Sequence, residues 1–154
     1  MGKRVAALLL TAAITTLGLV GQANAAPLDH AASGVVADSV KPGAEANQVR
    51  HAPFTLHHNQ SVSSDTARLV MQSDGNLVIY DEFNRARWAS NTVGQGWTAR
   101  FQTDGNLVVY TRSNRPVWAS NTAGRPGSRL VIQDDGNVVI YDGSRAVWAS
   151  GTNH

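Results

Sequence analysis

Between residues 76 and 80 the chain reads Asn-Leu-Val-Ile-Tyr, which puts Leu77 and Ile79 on one face of an extended segment and Asn76, Val78 and Tyr80 on the other. This period of two predicts a β-strand with one apolar face. The pattern returns with Leu107 and Val109 opposite Asn106, Val108 and Tyr110, and again with Val138 and Ile140 opposite Asn137, Val139 and Tyr141. Before each strand stands a turn sequence, Ser73-Asp74-Gly75, Thr103-Asp104-Gly105 or Asp134-Asp135-Gly136, in which glycine takes the positive φ that a hairpin bend requires. A second turn follows through Asp81–Arg85, Thr111–Pro116 or Asp142–Arg145, and the chain returns into Trp88, Trp118 or Trp148. Upstream, Leu56, Val62, Leu69 and Met71 punctuate Ser, Asn and Gln residues and predict incoming strands from Phe54.

These units are copies of one repeat. Trp88, Trp118 and Trp148 are spaced by 30 residues, and Gln72, Gln102 and Gln133 by 30 and then 31. The third Tyr-to-Trp turn is one residue shorter, and the Gly124–Ser128 connection before it is one longer, so both length changes fall where they disturb no strand register. A repeat this short cannot bury an apolar face alone, whereas three converging on an axis can. The expected fold is therefore all-β, with Leu77/Ile79, Leu107/Val109, Val138/Ile140 and the three tryptophans in a shared centre.

The first 25 residues stand apart from this domain. Lys3 and Arg4 precede an apolar stretch from Val5 to Val20, and Ala23-Asn24-Ala25 follows, the pattern of an export signal cut after Ala25. The stretch is short for a bilayer-spanning helix, which needs roughly 20 apolar residues, so stable membrane insertion is not expected and secretion is. Residues 26–53 are rich in Ala, Gly, Ser and Val with Pro27, Pro42 and Pro53 and read as a linker or propeptide-like arm, in which Val35, Val36 and Val40 could make a short strand. The domain of three repeats then occupies 54–154.

Charge removes several partner classes. The chain has 13 Lys/Arg against 11 Asp/Glu, and loss of Lys3 and Arg4 with the leader balances the two. With no clustered basic stripe, no nucleic acid partner is expected. There is no cysteine, so an exported domain of this size relies on packing and hydrogen bonds alone.

The polar faces carry the candidate chemistry. Gln72-x-Asp74-x-Asn76-x-Val78-x-Tyr80, Gln102-x-Asp104-x-Asn106-x-Val108-x-Tyr110 and Gln133-x-Asp135-x-Asn137-x-Val139-x-Tyr141 share one pattern. Asp and Asn alone would be explained by turn capping. With Gln and Tyr added, each copy groups two amides, a carboxylate and a phenol around a valine. That set suits a neutral polyol, whose hydroxyls exchange hydrogen bonds with the polar groups while its C–H face rests on the apolar floor.

This triple motif resembles the bulb-type, or monocot mannose-binding, lectin family, as do the Trp-Ala-Ser-Asn-Thr returns at 88–92 and 118–122 and the closing Trp148-Ala-Ser-Gly-Thr-Asn-His154. The resemblance implies a β-prism II of three four-stranded antiparallel sheets about a pseudo-threefold axis. It further implies that Asp74/Asn76, Asp104/Asn106 and Asp135/Asn137 take the axial O2 of mannose, that Gln72, Gln102 and Gln133 take O3, and that Tyr80, Tyr110 and Tyr141 take O4. In the family the last strand is often exchanged between subunits, so Ser150–His154 either pairs with a neighbour in a homodimer or folds back. Many plant members carry a cysteine where this chain has Gly75. The export signal, with its actinobacterial look, suggests a secreted bacterial relative.

Other readings are weaker on the same residues. The three Asp residues lie in equivalent exposed turns without a partner carboxylate, and no Ser-His-Asp spacing is present, so catalysis is not expected. His57 and His58 are adjacent, His30 and His51 lie in or near the leader, and His154 is terminal; no metal site or cofactor is inferred. A lectin-like antibacterial protein directed at bacterial surface polysaccharide and a structural module without sugar binding both remain as alternatives. Trp97, outside the Trp-Ala-Ser set, is expected to cover an end of the prism or a subunit contact.

Overall fold

The computed structural model describes residues 47–154. The predicted export signal, most of the arm and the Val35–Val40 segment lie outside the described residues. Twelve strands form three four-stranded sheets, every neighbouring pair of which is antiparallel. The first three strands are β1 (Gln48–His51), β2 (Phe54–Leu56) and β3 (Ser61–Ser63). The first repeat supplies β4 (Ala67–Met71), β5 (Leu77–Asp81) and β6 (Ala86–Ala89). The second supplies β7 (Thr98–Phe101), β8 (Leu107–Tyr110) and β9 (Pro116–Ala119), and the third β10 (Arg129–Ile132), β11 (Val138–Asp142) and β12 (Arg145–Ala149).

Each repeat builds three strands of its own sheet and borrows the fourth. β3 pairs with β4, β2 with β7 and β1 with β10, so the three leading strands serve the sheets in reverse order. The ordered domain thus begins before residue 54. Gln48–His51, assigned to the arm from sequence, lies against Arg129–Ile132 in register and covers an edge that would otherwise present bare backbone groups. Only Val49 is apolar in that strand, and it stays 38% exposed, so no hydrophobic alternation marked it.

The inward positions are as the period of two requires. Leu77, Ile79, Val109, Val138 and Ile140 are fully buried, and Leu107 nearly so, and they share one cluster with Leu69, Met71, Phe101, Leu130 and Ile132. Trp88 stands directly across from Ile79, Trp118 from Val109 and Trp148 from Ile140. The three indoles meet edge to face, with ring centroids 5.2, 5.6 and 5.8 Å apart and planes at 72°, 81° and 75°. Such pairs add about 0.5–1.5 kcal/mol each beyond the area they bury. The tryptophans sit on the axis, but as half-buried rings packed against the aliphatic cluster rather than at its middle, because they come from the edge strands β6, β9 and β12.

The last strand, β12, pairs with β11 of its own chain. Beyond it Thr152 is buried, and the backbone N–H of His154 donates to the Asp135 carbonyl at 2.9 Å. The His154 side chain reaches Glu82 of the first repeat, Nε2 to Oε2 at 2.8 Å. This segment therefore folds back on the chain that carries it.

Candidate functional site

The three motif turns are built alike. In the first, the Gly75 N–H donates to the Gln72 carbonyl at 3.1 Å and the Gln72 N–H to the Asn76 carbonyl at 2.9 Å, closing a three-residue hairpin loop with glycine at the left-handed position. Gly75, Gly105 and Gly136 have φ of 89°, 87° and 87°, which only glycine adopts without strain. Space is also missing: a Cβ on Gly75 would come within 2.8 Å of the Gly96 carbonyl, and one on Gly105 within 2.4 Å of the Arg125 carbonyl. The position at which many plant members carry cysteine is therefore closed to any side chain here.

Asp74, Asp104 and Asp135 each accept the N–H of the motif Asn two residues on, Oδ1 to N at 2.9 Å in every repeat. The Asn side chains are then locked from behind. Asn76 Oδ1 accepts from Ser90 Oγ and from the Thr92 N–H, both at 3.2 Å; Ser120 and Thr122 do the same for Asn106, and Ser150, Gly151 and Thr152 for Asn137. The threonine hydroxyls donate to the turn carbonyls of Gly75, Gly105 and Gly136 at 2.7, 2.6 and 2.6 Å. Because a backbone N–H points at Oδ1, the Asn amide must turn its NH₂ outward.

Gln and Tyr meet along the other edge of the patch. Gln72 Nε2 donates to Tyr80 Oη and Gln102 Nε2 to Tyr110 Oη, both at 2.5 Å, and Gln133 Nε2 to Tyr141 Oη at 2.9 Å. Val78, Val108 and Val139 lie between these partners and are only 3%, 3% and 2% exposed. The apolar floor expected from sequence is thus largely roofed by the Gln–Tyr bridge, and only its edge can touch a ligand. Among the described residues, what each copy leaves outside the internal hydrogen bonds is the same: Asp Oδ2 and Gln Oε1 as acceptors, Asn NH₂ and the Tyr O–H as donors. The structure brings together all fifteen motif residues, five to a sheet.

Shallow grooves run beside the patches. Near the second lies one of about 420 Å³ lined by Pro53, Thr55, Arg100, Gln102 and Asp104. Near the third, one of about 410 Å³ is lined by Asn47, Val49, Arg129, Gln133 and Tyr141. The borrowed strands therefore wall the second and third patches, which the repeat pattern alone does not show. The serine and threonine locks were also missed, although their positions two and four residues after each tryptophan recur three times.

Trp97 is outside the motif but lines, with Arg112, Gln95 and Asp74, a groove of about 260 Å³ beside the first motif turn. Its ring stacks on His58 at 4.3 Å and 17°, with the Arg112 guanidinium 5.0 Å from its centroid. His58 in turn contacts the Ser73 carbonyl through Nε2 at 2.8 Å. The indole thus ties the loop before β7 to the first motif turn. Among the described residues no group of three or more His, Asp or Glu side chains is placed to hold a metal.

Three antiparallel four-stranded sheets around one axis, each with the same polar patch, define a β-prism II binding protein. Comparison with solved structures agrees. A monomeric monocot mannose-binding lectin from Gastrodia elata is 43% identical, with 71% of this chain and 99% of that one covered and a TM-score of 0.62. The mannose-specific agglutinin of snowdrop, Galanthus nivalis, solved with methyl-α-D-mannoside, is 41% identical over the same shares at 0.56. The mannose-specific bulb lectin of bluebell, Scilla campanulata, is 39% identical, again over 71% and 99%, at 0.55. No family model and no curated protein matches the chain. The chain belongs to the bulb-type, monocot mannose-binding lectin family, whose members are carbohydrate-binding proteins and not enzymes.

Proposed function

We propose that the protein is a secreted lectin for α-D-mannose-containing glycans, held at up to three sites. The sites are Gln72/Asp74/Asn76/Val78/Tyr80, Gln102/Asp104/Asn106/Val108/Tyr110 and Gln133/Asp135/Asn137/Val139/Tyr141. The observation that carries this reading is the threefold recurrence of one outward set, two acceptors and two donors, on a rigid turn. A sugar diol presents two donors and two acceptors in return. The snowdrop lectin, with its bound methyl-α-D-mannoside, supports mannose as the sugar. Each shallow site holds a monosaccharide weakly, and a branched or crowded glycan gains avidity by engaging several.

Calorimetric titration with methyl α-mannoside, run beside its 2-epimer methyl α-glucoside, tests the reading. Mannose-selective heat with a stoichiometry near three is the expected result; no heat from a folded sample would overturn it. Export rests on the basic, apolar and Ala-Asn-Ala sequence of residues 3–25, and the signal's character favours a bacterial source. Secreted protein whose first residue is Ala26 is expected on N-terminal sequencing of culture medium, and one beginning at Met1 would refute cleavage. β12 and the segment after it pair within their own chain; exchange of that segment with a neighbour would give a homodimer, which sedimentation distinguishes from a monomer.

A further inference from the structure

One feature common to the three patches is absent from the motif. Arg68, Arg100 and Arg129 place their guanidinium carbons 5.0, 4.7 and 5.0 Å from the ring centroids of Tyr80, Tyr110 and Tyr141. They reach that place by different routes. Arg68 and Arg129 stand directly across from the tyrosine. Arg100 stands across from Val108, a place held by Val70 and Val131 in the other sheets, while Thr98 lies opposite Tyr110. The anchors also differ: Asn84 Oδ1 at 2.7 Å, Asn114 Oδ1 at 2.8 Å and the Gly143 carbonyl at 2.5 Å. A cation beside the phenol is thus reproduced three times without a common residue position. None of the three is in an ion pair among the described residues.

The surroundings of the cations are unequal. Arg68 lines its groove together with Asp65, Asp81 and Glu82; Asp81 is paired with Arg85 and Arg87 and Glu82 with His154, so Asp65 is the carboxylate there without an ion pair among the described residues. The groove of Arg100 contains only the motif carboxylate, Asp104, at its turn end, and that of Arg129 has no acidic lining residue. Guanidinium groups present planar N–H donors matched to phosphate and carboxylate oxygens. Resting on the proposal that the motif patches hold the sugar ring, we propose that the second and third sites select mannosyl residues carrying an anionic substituent, met by Arg100 and Arg129, while the first takes neutral mannose. With O4 at the tyrosine, as the family resemblance implies, the neighbouring exocyclic carbon would carry its charge on the side where the guanidinium lies. At a solvated rim such a pair corresponds to roughly 1.4- to fivefold in affinity, and it weakens with added salt.

The test titrates the full chain with methyl α-mannoside, its 6-phosphate and the corresponding 6-carboxylate, at low and high salt. We expect two of three sites to bind one or both anionic ligands up to roughly fivefold more tightly than the neutral one, with the difference collapsing at high salt. The two anions separate a phosphate-bearing from a uronate-bearing glycan. Arg100→Gln with Arg129→Gln should abolish the preference and Arg68→Gln should not. Replacing the same pair by lysine should keep most of it, which a packing role for the guanidinium on the tyrosine would not require. Equal affinity for neutral and anionic mannosides, or a preference that survives the double glutamine variant, overturns the inference and leaves mannose recognition standing. Failure of all three ligands to bind overturns mannose recognition as well.

Discussion

Ser90 Oγ donates to Asn76 Oδ1 at 3.2 Å while accepting the Leu77 N–H at 3.0 Å, so one hydroxyl both closes the strand end and sets the direction of a candidate ligand-binding amide. Ser120 repeats this with Asn106 and Leu107, and Ser150 with Asn137 and Val138. Ser90→Ala would leave a buried N–H without an acceptor, at a cost of about 1–3 kcal/mol. It would also loosen the Asn76 amide. The expected result is a lower urea midpoint with an unchanged m-value, together with loss of mannoside binding at one site of three. A variant of full stability would contradict the assignment of this hydroxyl as the lock.

The phenol oxygens offer a cleaner separation of binding from folding. Tyr80, Tyr110 and Tyr141 are half-buried, and each accepts from its Gln while keeping its own O–H for a ligand. Tyr110→Phe keeps the ring and removes both hydrogen bonds. Its affinity for mannoside should fall about tenfold at one site, equivalent to about 1.4 kcal/mol and within the range for one or two net hydrogen bonds. The triple Tyr→Phe variant should retain the β spectrum and bind at none of the three sites with native affinity. Calorimetry on the single and triple variants checks this, and native affinity in the triple variant would remove the phenols from the site.

The tryptophan triangle should behave as a coupled unit. Each indole touches the other two, and all three lie over the aliphatic cluster. Trp→Ala at a buried position costs about 3–5 kcal/mol; these rings are half-buried, so about 2–3 kcal/mol is expected for Trp88→Ala or Trp118→Ala. The double variant should fall short of additivity by about 0.5–1.5 kcal/mol, the usual edge-to-face coupling. Denaturant unfolding of the four members of the cycle measures this. Strict additivity would mean that the rings stabilise their own sheets and not one another.

What could be read from sequence was whatever repeated at a fixed offset. The period of two in Leu77–Tyr80 and its copies marks the inner face, and the triple Gln-Asp-Asn-Val-Tyr spacing marks the candidate patches. Val78 was readable as a floor but not as a roofed one, because the Gln72–Tyr80 bridge depends on side-chain rotamers across two strands. β1 escaped because Gln-Val-Arg-His carries one apolar residue and owes its place to an open sheet edge. Arg68, Arg100 and Arg129 escaped because their offsets from the motif Gln are unequal. The His58–Trp97 stack joins segments that no local rule connects.

The contact between His154 and Glu82 gives the fold a pH window. Both His154 nitrogens face acceptors, Nδ1 the Thr152 carbonyl at 3.0 Å and Nε2 the Glu82 carboxylate at 2.8 Å. The Thr152 carbonyl first, and then Glu82, raise the His154 pKa above its ordinary value of 6.5. The His154 side chain, by its hydrogen bond, lowers that of Glu82 below 4.5. The imidazolium contribution is therefore complete below pH 6.5 and declines as pH rises through the raised folded value. The carboxylate contribution is complete above pH 4.5 and declines as pH falls through its lowered folded value. Between these limits the segment after β12 should be held most firmly to the first repeat. NMR titration should place His154 above 6.5, and amide-exchange protection at Thr152 and His154 should fall on the alkaline side of that pKa once intrinsic exchange is divided out. Glu82→Gln should pull the His154 titration downward and flatten the alkaline loss. If His154 titrates at or below 6.5 in the unsubstituted protein, the ion pair does not tether the segment in solution.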